Sequence, residues 1–360
     1  MASATKRAIS TGRPASKLPL LITPAELAQL PREYLAGPRI PGALRWDLDK
    51  IANPKTDNAV KASDGESDEW ESSGLARNEL GLGHMLPGPK RFATACSKLG
   101  ITPSDHIVFY DSLGIFSAPR GAFTFTAMDH PHVSVLDGGL LRYQAEGFEL
   151  DTEVLSSEEQ GIKRFGVDNE SQYPVPSFNR SHVSTYDEVL KNSGNTSVDG
   201  GDLILDARSR ERWSGEAPEP RPGLSSGHMP HALSLPFTAL LSPASGPNKP
   251  YTSFLPIDQL RQVIIRALSS PNAKLDLSVK NGGLSDEELE IGRQRWEQVK
   301  QGKKLTWSCG SGMTAAVGVW AMRLVAQADG GLEDVKALDN VGLYDEVCSP
   351  KDYLDGDAGR

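Results

Sequence analysis

The chain repeats itself, and this repeat limits its possible folds more than any other feature. Arg39-Ile-Pro-Gly-Ala-Leu44 returns 189 residues later as His228-Met-Pro-His-Ala-Leu233. Each copy is followed by a polar stretch, a helical pattern, a short apolar strand and a second helix. Those two strands end at Asp111 and Cys309, 198 residues apart. Val133-Ser-Val-Leu-Asp137 then parallels Val335-Lys-Ala-Leu-Asp339. The runs His106-Ile-Val-Phe-Tyr110 and Leu203-Ile-Leu-Asp206 show no polar–apolar alternation, so both faces of their sheets must be covered, and Lys304-Leu-Thr-Trp-Ser308 reads as a further strand. Strands of that kind alternating with helices predict two α/β domains, each a mainly parallel sheet with helices on both faces. Such sheets bind ligands at the carboxyl ends of their strands, which singles out the residues after Tyr110 and after Ser308.

Local signals set the boundaries. Thr23-Pro-Ala-Glu26 and Ser184-Thr-Tyr-Asp187 read as capping boxes at helix starts. Helices are expected at about 88–99, 117–128, 260–268 and 314–326, and after Gly138-Gly139, with Gly100, Gly147 and Gly302 as stops. Residues 1–19 read as a basic tail, and 20–155 as a first domain with an inserted loop at about 50–83. Residues 156–180, with Pro174 and Pro176, read as a linker. Residues 181–360 read as a second domain with an insertion at about 270–303, where Ser285 caps a charged helix.

Composition narrows the function. With 47 acidic residues against 38 Lys and Arg, the net charge of -9 argues against nucleic acid as the main ligand. No apolar run approaches the roughly 20 residues of a membrane span. The three cysteines, Cys96, Cys309 and Cys348, form no CxxC pair and no disulfide framework, so neither a metal site nor a cofactor is expected. Free thiols fit a reducing compartment. The first 25 residues hold Lys6, Arg7, Arg13 and Lys17 and no acid. They read equally as a mitochondrial transit segment and as a disordered basic tail, so the expected location is mitochondrial or cytoplasmic.

The chemistry centres on Cys309-Gly-Ser-Gly-Met-Thr314, between a strand end and a helix start. The two glycines let backbone N–H groups turn toward the sulfur, and with the helix dipole they stabilise negative charge there. A thiolate so placed is a nucleophile suited to an anionic donor. The plain alternative is a buried cysteine before a Gly-rich turn. Cys96, inside a helix, and Cys348, in the tail, read as inert. Arg208, Arg210, Arg212 and Arg221 fall within fourteen residues and form a local positive focus in an acidic chain. Their planar forks suit carboxylates, although any one of them also reads as a solvated surface charge.

Several motifs together resemble the tandem-domain rhodanese family, in particular its mercaptopyruvate sulfurtransferase branch. They are the Cys309–Thr314 loop, Asp206-Ala-Arg-Ser-Arg-Glu-Arg-Trp213, Glu219-Pro-Arg221, Gly227-His-Met-Pro230, His84-Met-Leu-Pro87 and Ser117-Ala-Pro-Arg120. The resemblance spans about residues 20–345, outside the two insertions. It implies two rhodanese-like domains, the first catalytically silent; Asp111 standing where the second has Cys309 agrees. It implies a persulfide on Cys309 within a substrate loop of Gly310, Ser311, Gly312, Met313 and Thr314. Gly310 and Ser311 are neutral where thiosulfate-specific relatives carry basic residues.

By the same resemblance, Arg212 and Arg221 hold the carboxylate and carbonyl of mercaptopyruvate, while Arg208 and Arg210 make structural pairs. Asp49, His84 and Ser311 match a hydroxyl–imidazole–carboxylate relay that would move a proton toward the departing pyruvate enolate. That would put the site at the domain interface. Taken alone, His84 reads as a loop or core histidine, Asp49 as a strand-end carboxylate and His228 as a turn histidine. The implied partners are a small anionic sulfur donor and an acceptor that is cyanide or a thiol, such as thioredoxin, a small thiol or a sulfur-relay protein.

There are departures and rivals. Asp339-Asn-Val-Gly-Leu-Tyr-Asp345 replaces the family's DGSW-type turn, and Met313 a commoner valine. A thiosulfate sulfurtransferase and a non-catalytic rhodanese-like binding protein are the alternatives. A cysteine phosphatase would need arginine closing a C-x5-R loop, where this chain has Ala315.

Overall fold

The computed structural model describes residues 21–22, 38–52, 83–153, 172–220, 225–330 and 341–344, the first and last of these as backbone. The expected capping box at Thr23 and the expected strand at 335–339 lie outside the described residues.

The first half contains β1 (Leu21–Ile22), α1 (Leu48–Ile51), α2 (Pro89–Lys98), β2 (Ile107–Phe109), α3 (Ala118–Ala127), β3 (Val133–Leu136) and α4 (Gly139–Ala145). Its strands are parallel, in the order β1-β3-β2. The second half opens with β4 (Val183–Ser184), α5 (Tyr186–Ser193), β5 (Leu203–Asp206), α6 (Arg210–Ser214) and β6 (Leu233–Ser234). An antiparallel pair follows, β7 (Leu241–Ser242) with β8 (Ser253–Phe254). Then come α7 (Ile257–Ser269), α8 (Asp286–Lys300), β9 (Leu305–Ser308), α9 (Met313–Gly330) and β10 (Val341–Tyr344). The second sheet runs β4-β10-β9-β5-β6 and is parallel throughout. The order β4-β10-β9 restates β1-β3-β2, so the duplication seen in sequence is a duplication of topology.

The packing repeats as well. A Cβ on Gly121 of α3 would stand 2.5 Å from the Phe109 ring, and one on Gly318 of α9 would stand 2.3 Å from Trp307. In each half an aromatic strand residue lies flat against a helix that only glycine lets come so close. Two residues beyond those rings stand Asp111 and Cys309.

Helix ends follow local chemistry, with one correction. The cap of α5 is Thr185, whose hydroxyl accepts from Glu188 N–H while Glu188 returns the bond. The box therefore lies one residue later than the sequence suggested. Ser184 belongs to β4, and its hydroxyl is paired with Thr306 Oγ1 at 2.7 Å inside the sheet. Ser285 and Glu288 form a capping box on α8. Helix α9 runs past Ala326 to Gly330.

The insertion around 270–303 is part of the body. Helix α8 packs on α7 so closely that a Cβ on Gly292 would meet Ser269 Oγ at 2.2 Å. Arg295, nearly buried, donates to Leu268 O at 2.6 Å and pairs with Asp199 at 2.7 Å. The described part of the linker is also tied down: Tyr173 N–H donates to Ser97 Oγ at 3.0 Å and Asn179 N–H to Ala127 O at 2.8 Å. Among the described residues, no helix is long and apolar enough to cross a membrane.

Candidate active site

The turn after β2 holds a charge. Asp111 Oδ2 accepts the backbone N–H groups of Phe116, Ser117 and Ala118 at 2.8, 2.9 and 3.0 Å, and Oδ1 accepts that of Leu113 at 2.9 Å. The carboxylate thus fills a ring of amides at the positive end of α3, an arrangement that suits a buried anion. The second half covers this turn: Ile115 N–H donates to Thr252 Oγ1 at 3.1 Å, and a Cβ on Gly114 would strike Thr252. Nearby, Phe254 N–H donates to Asp137 Oδ1 at 3.0 Å. The first domain's turn is therefore occupied from within and closed from without.

The equivalent turn after β9 carries Cys309. Its thiol is free and partly buried, packed against the core. Gly310 and Ser311 are partly exposed, and Gly312 is buried with a left-handed φ of 71° that turns the chain into α9. Met313 opens that helix and Thr314 follows, both partly buried. Residues 315–326 of α9 are buried on every side, so its N-terminus is held rigidly behind the sulfur. A sulfur between a strand end and the positive end of an eighteen-residue helix is well placed to carry negative charge.

The arginine cluster is less positive than its sequence. Arg208 pairs with the buried Asp206 at 2.6 Å and lies 3.6 Å from Glu219. Arg210 donates to the Pro271 carbonyl and lies over the Trp213 ring, 4.6 Å from its centroid. Arg212 Nη2 pairs with Glu219 Oε2 at 2.5 Å, and Glu219 is only 4% exposed. Two buried carboxylates thus balance two of the four guanidiniums. Arg212 Nε, however, is buried and makes no hydrogen bond among the described residues. One edge of the fork is held by Glu219, and Nε is enclosed without a partner among those residues. Arg221 lies outside the described residues.

Asp49 and His84 come together, with Asp49 Oδ1 2.6 Å from His84 Nδ1. The approach lies off the ring nitrogen's hydrogen-bonding direction, so this is a close electrostatic contact. Asp49 sits in the short helix α1 and not at a strand end. That helix is fixed by Trp46, which packs edge-on to Phe125 at 4.7 Å, and by Arg91, whose Nε donates to Ile51 O at 2.8 Å. Ser311 is not hydrogen-bonded to His84 among the described residues, so the structure assembles one half of the expected relay.

Glu219 and Arg120 were not read as functional from sequence. Arg120 Nη2 donates to the His84 carbonyl at 2.7 Å. The signal for both was present, in Glu219-Pro-Arg221 and Ser117-Ala-Pro-Arg120, but residues that support other residues leave no chemical mark of their own. Cys96 is fully buried in α2, and burial pushes its thiol well above the ordinary range, which makes it a poor nucleophile. Cys348 lies outside the described residues. His228 Nδ1 donates to Trp213 O at 2.7 Å beneath a stacked indole, a structural turn histidine. No group of His, Cys, Asp or Glu among the described residues could hold a metal.

No family model matches the chain. A fission yeast protein named probable 3-mercaptopyruvate sulfurtransferase is 28% identical over 318 residues, 88% of this chain and 79% of that protein. The mitochondrial thiosulfate/3-mercaptopyruvate sulfurtransferase 1 of Arabidopsis thaliana is 28% identical over 72% of this chain, and the match spans 60% of its own length. The 3-mercaptopyruvate sulfurtransferase of Escherichia coli K12 is 32% identical over 58% of this chain, again spanning 60% of the relative. Among solved structures, yeast Tum1 superposes with a TM-score of 0.56 at 23% identity, covering 91% of this chain and 93% of the other. SseA of Escherichia coli, described with a rhodanese fold, superposes at 0.55 and 22% identity, covering 92% and 100%. The chain is thus similar in sequence to proteins named 3-mercaptopyruvate sulfurtransferase, and over nine tenths of its length it shares the rhodanese fold described for SseA.

Proposed function

We propose that this chain is a sulfurtransferase that takes sulfane sulfur from 3-mercaptopyruvate onto Cys309 and passes it to a thiol or to cyanide. The observation that carries this reading is the contrast between two equivalent turns: Asp111 fills the first, and a free, partly buried thiol heads the second. The names of the fission yeast and Escherichia coli relatives support the donor.

The chemistry follows from the residues. The Cys309 thiolate attacks the sulfur of mercaptopyruvate, an S–S bond forms, and the C–S bond breaks. Its electron pair leaves on carbon as the pyruvate enolate, which takes up one proton to become pyruvate. Arg212, whose side chain is partly exposed, and Arg221, by family pattern, would hold the substrate carboxylate. Ser311, with His84 and Asp49 behind it, would supply the proton to the enolate. An acceptor thiol or cyanide then attacks the outer sulfur and restores the Cys309 thiolate. Thioredoxin, a small thiol or a sulfur-relay protein would serve, in mitochondria or cytoplasm; the acid-free basic start of the chain supports the former.

The test is direct. Incubation with mercaptopyruvate should release pyruvate and raise the intact mass by one sulfur, and Cys309→Ser should abolish both. An unchanged mass rise in that variant would reject the persulfide site. Transfer from thiosulfate is the second reading, favoured by the name of the Arabidopsis relative.

A further inference from the structure

Arg120 stands in the first turn of α3, the helix that begins at the Asp111 turn, and is only 1% exposed. So deep a guanidinium is costly unless its hydrogen bonds are made in a fixed geometry. One of those bonds goes to the carbonyl of His84, at 2.7 Å. His84 is one of four non-glycine residues with positive φ among the described residues, at 65°. An L-residue is strained in that conformation and keeps it only where its surroundings hold it. On one side of His84 the buried Met85 and Leu86 anchor the chain. On the other side stands Gly83, around which a Cβ would meet nothing within 4 Å. The Arg120 bond falls on the carbonyl, the group whose direction sets the His84 turn.

We infer that Arg120 is the positioning residue of His84, holding the left-handed turn that presents the imidazole to Asp49. This rests on reading His84 as part of the proton relay. The supports form a chain. Asp111 fixes the start of α3 through the N–H groups of Ser117 and Ala118. Helix α3 carries Arg120, and Arg120 holds His84. The silent turn of the first domain thereby serves the chemistry of the second.

A residue that merely fills the core would affect every donor alike, whereas a positioning residue for the relay would affect only donors that need a proton. Mercaptopyruvate leaves a carbon base that must be protonated; inorganic polysulfide leaves as a stable sulfur anion. The experiment measures single-turnover persulfidation of Cys309 by intact mass, with each donor, in the full chain and in His84→Gln, Arg120→Met, Arg120→Gln and Arg120→Lys. The mercaptopyruvate-to-polysulfide rate ratio should fall about tenfold or more in the glutamine and methionine variants. Lysine, long enough to bring a charged N–H to the carbonyl where the shorter, neutral glutamine does not reach, should recover most of it. KM for mercaptopyruvate should move far less than kcat. If Arg120→Met does not fold, the Arg120→Gln ratio decides. A ratio preserved in the Arg120 variants but lost in His84→Gln would overturn the assignment and leave the relay standing. A ratio preserved in His84→Gln would overturn both. Equal losses with both donors would make Arg120 structural only and overturn the inference.

Discussion

Asp111 Oδ2 accepts the Ser117 N–H at 2.9 Å, closing the first domain's turn with the chain's own carboxylate at the position equivalent to Cys309. A carboxylate on four backbone donors cannot be replaced by an amide without turning an N–H against other N–H groups. Asp111→Asn should therefore lower unfolding stability by about 2–4 kcal/mol, through lost charge-assisted bonds and unsatisfied donors. Denaturant midpoints of the two proteins would show it. A change below about 0.5 kcal/mol, within the range of ordinary surface substitutions, would mean that the turn is held by its contact with Thr252 alone.

Acid should destabilise the first domain before its carboxylates titrate. His106 lies with Nε2 2.8 Å from Ser134 Oγ and its ring stacked 6.0 Å from His132. Burial, then the neighbouring His132 and His130, lowers its pKa from 6.5 to about 4. His130, between Tyr173 Oη and the Asp105 carbonyl, is also lowered, chiefly by burial. Both groups stay neutral when folded at a pH where the unfolded chain binds their protons. Their contribution is whole above the unfolded value and erodes as pH falls toward the folded one. For His106 the loss is on the order of 2 kcal/mol between pH 6.5 and 4, after allowance for its partial exposure. His106→Asn should flatten the stability–pH curve in that window, and a curve of unchanged slope would refute the assignment.

The pair of Arg212 and Glu219 yields a separable pair of effects. Arg212→Ala should raise the KM for mercaptopyruvate roughly ten- to hundredfold, the cost of a lost charge-assisted hydrogen bond. Arg221→Ala should do the same if both hold the carboxylate. Glu219→Gln keeps the shape but loosens the 2.5 Å ion pair, so KM should rise by a smaller factor. Changes below twofold at both arginines would mean that the anion binds elsewhere.

These residues also show how far the sequence could be read. The strands at 107–109 and 203–206 were plain because their apolar runs fit a covered parallel sheet, whereas Leu305-Thr-Trp-Ser308 alternates and is nevertheless buried on both faces. The two-residue strands β7 and β8 carry no period at all; they pair with each other, and β8 docks on Asp137 through the Phe254 N–H. Cys309 was found from its own surroundings, since glycines beside a thiol have a chemical meaning. Asp49 and His84 are 35 residues apart in sequence and meet only through tertiary packing, so nothing local joined them. The arginine cluster looked like a positive focus because its balancing carboxylates, Asp206 and Glu219, are ordinary residues until burial makes them partners.

Donor choice is the most exposed prediction. Thiosulfate carries two negative charges, and transfer of its outer sulfur leaves sulfite, also an anion. Basic residues beside the cysteine would stabilise that leaving group, but Gly310 and Ser311 offer none. Mercaptopyruvate carries one carboxylate, which the partly exposed Arg212 would hold while the substrate sulfur reaches Cys309. Its leaving group is a carbon base in need of a proton, which Ser311 with His84 and Asp49 would deliver. Mercaptopyruvate should therefore exceed thiosulfate in kcat/KM. Gly310→Arg with Ser311→Lys should shift the ratio toward thiosulfate twice over, by adding charge for sulfite and by removing the hydroxyl that serves the enolate. The segment Asp339–Asp345, read from sequence as a turn that lacks the family's tryptophan, includes β10 at Val341–Tyr344, so the expected turn is not formed there and donor choice rests on the loop and the relay. Steady-state rates with both donors decide the matter: equal or greater efficiency with thiosulfate in the unmutated protein would refute the donor assignment and leave the Cys309 persulfide intact.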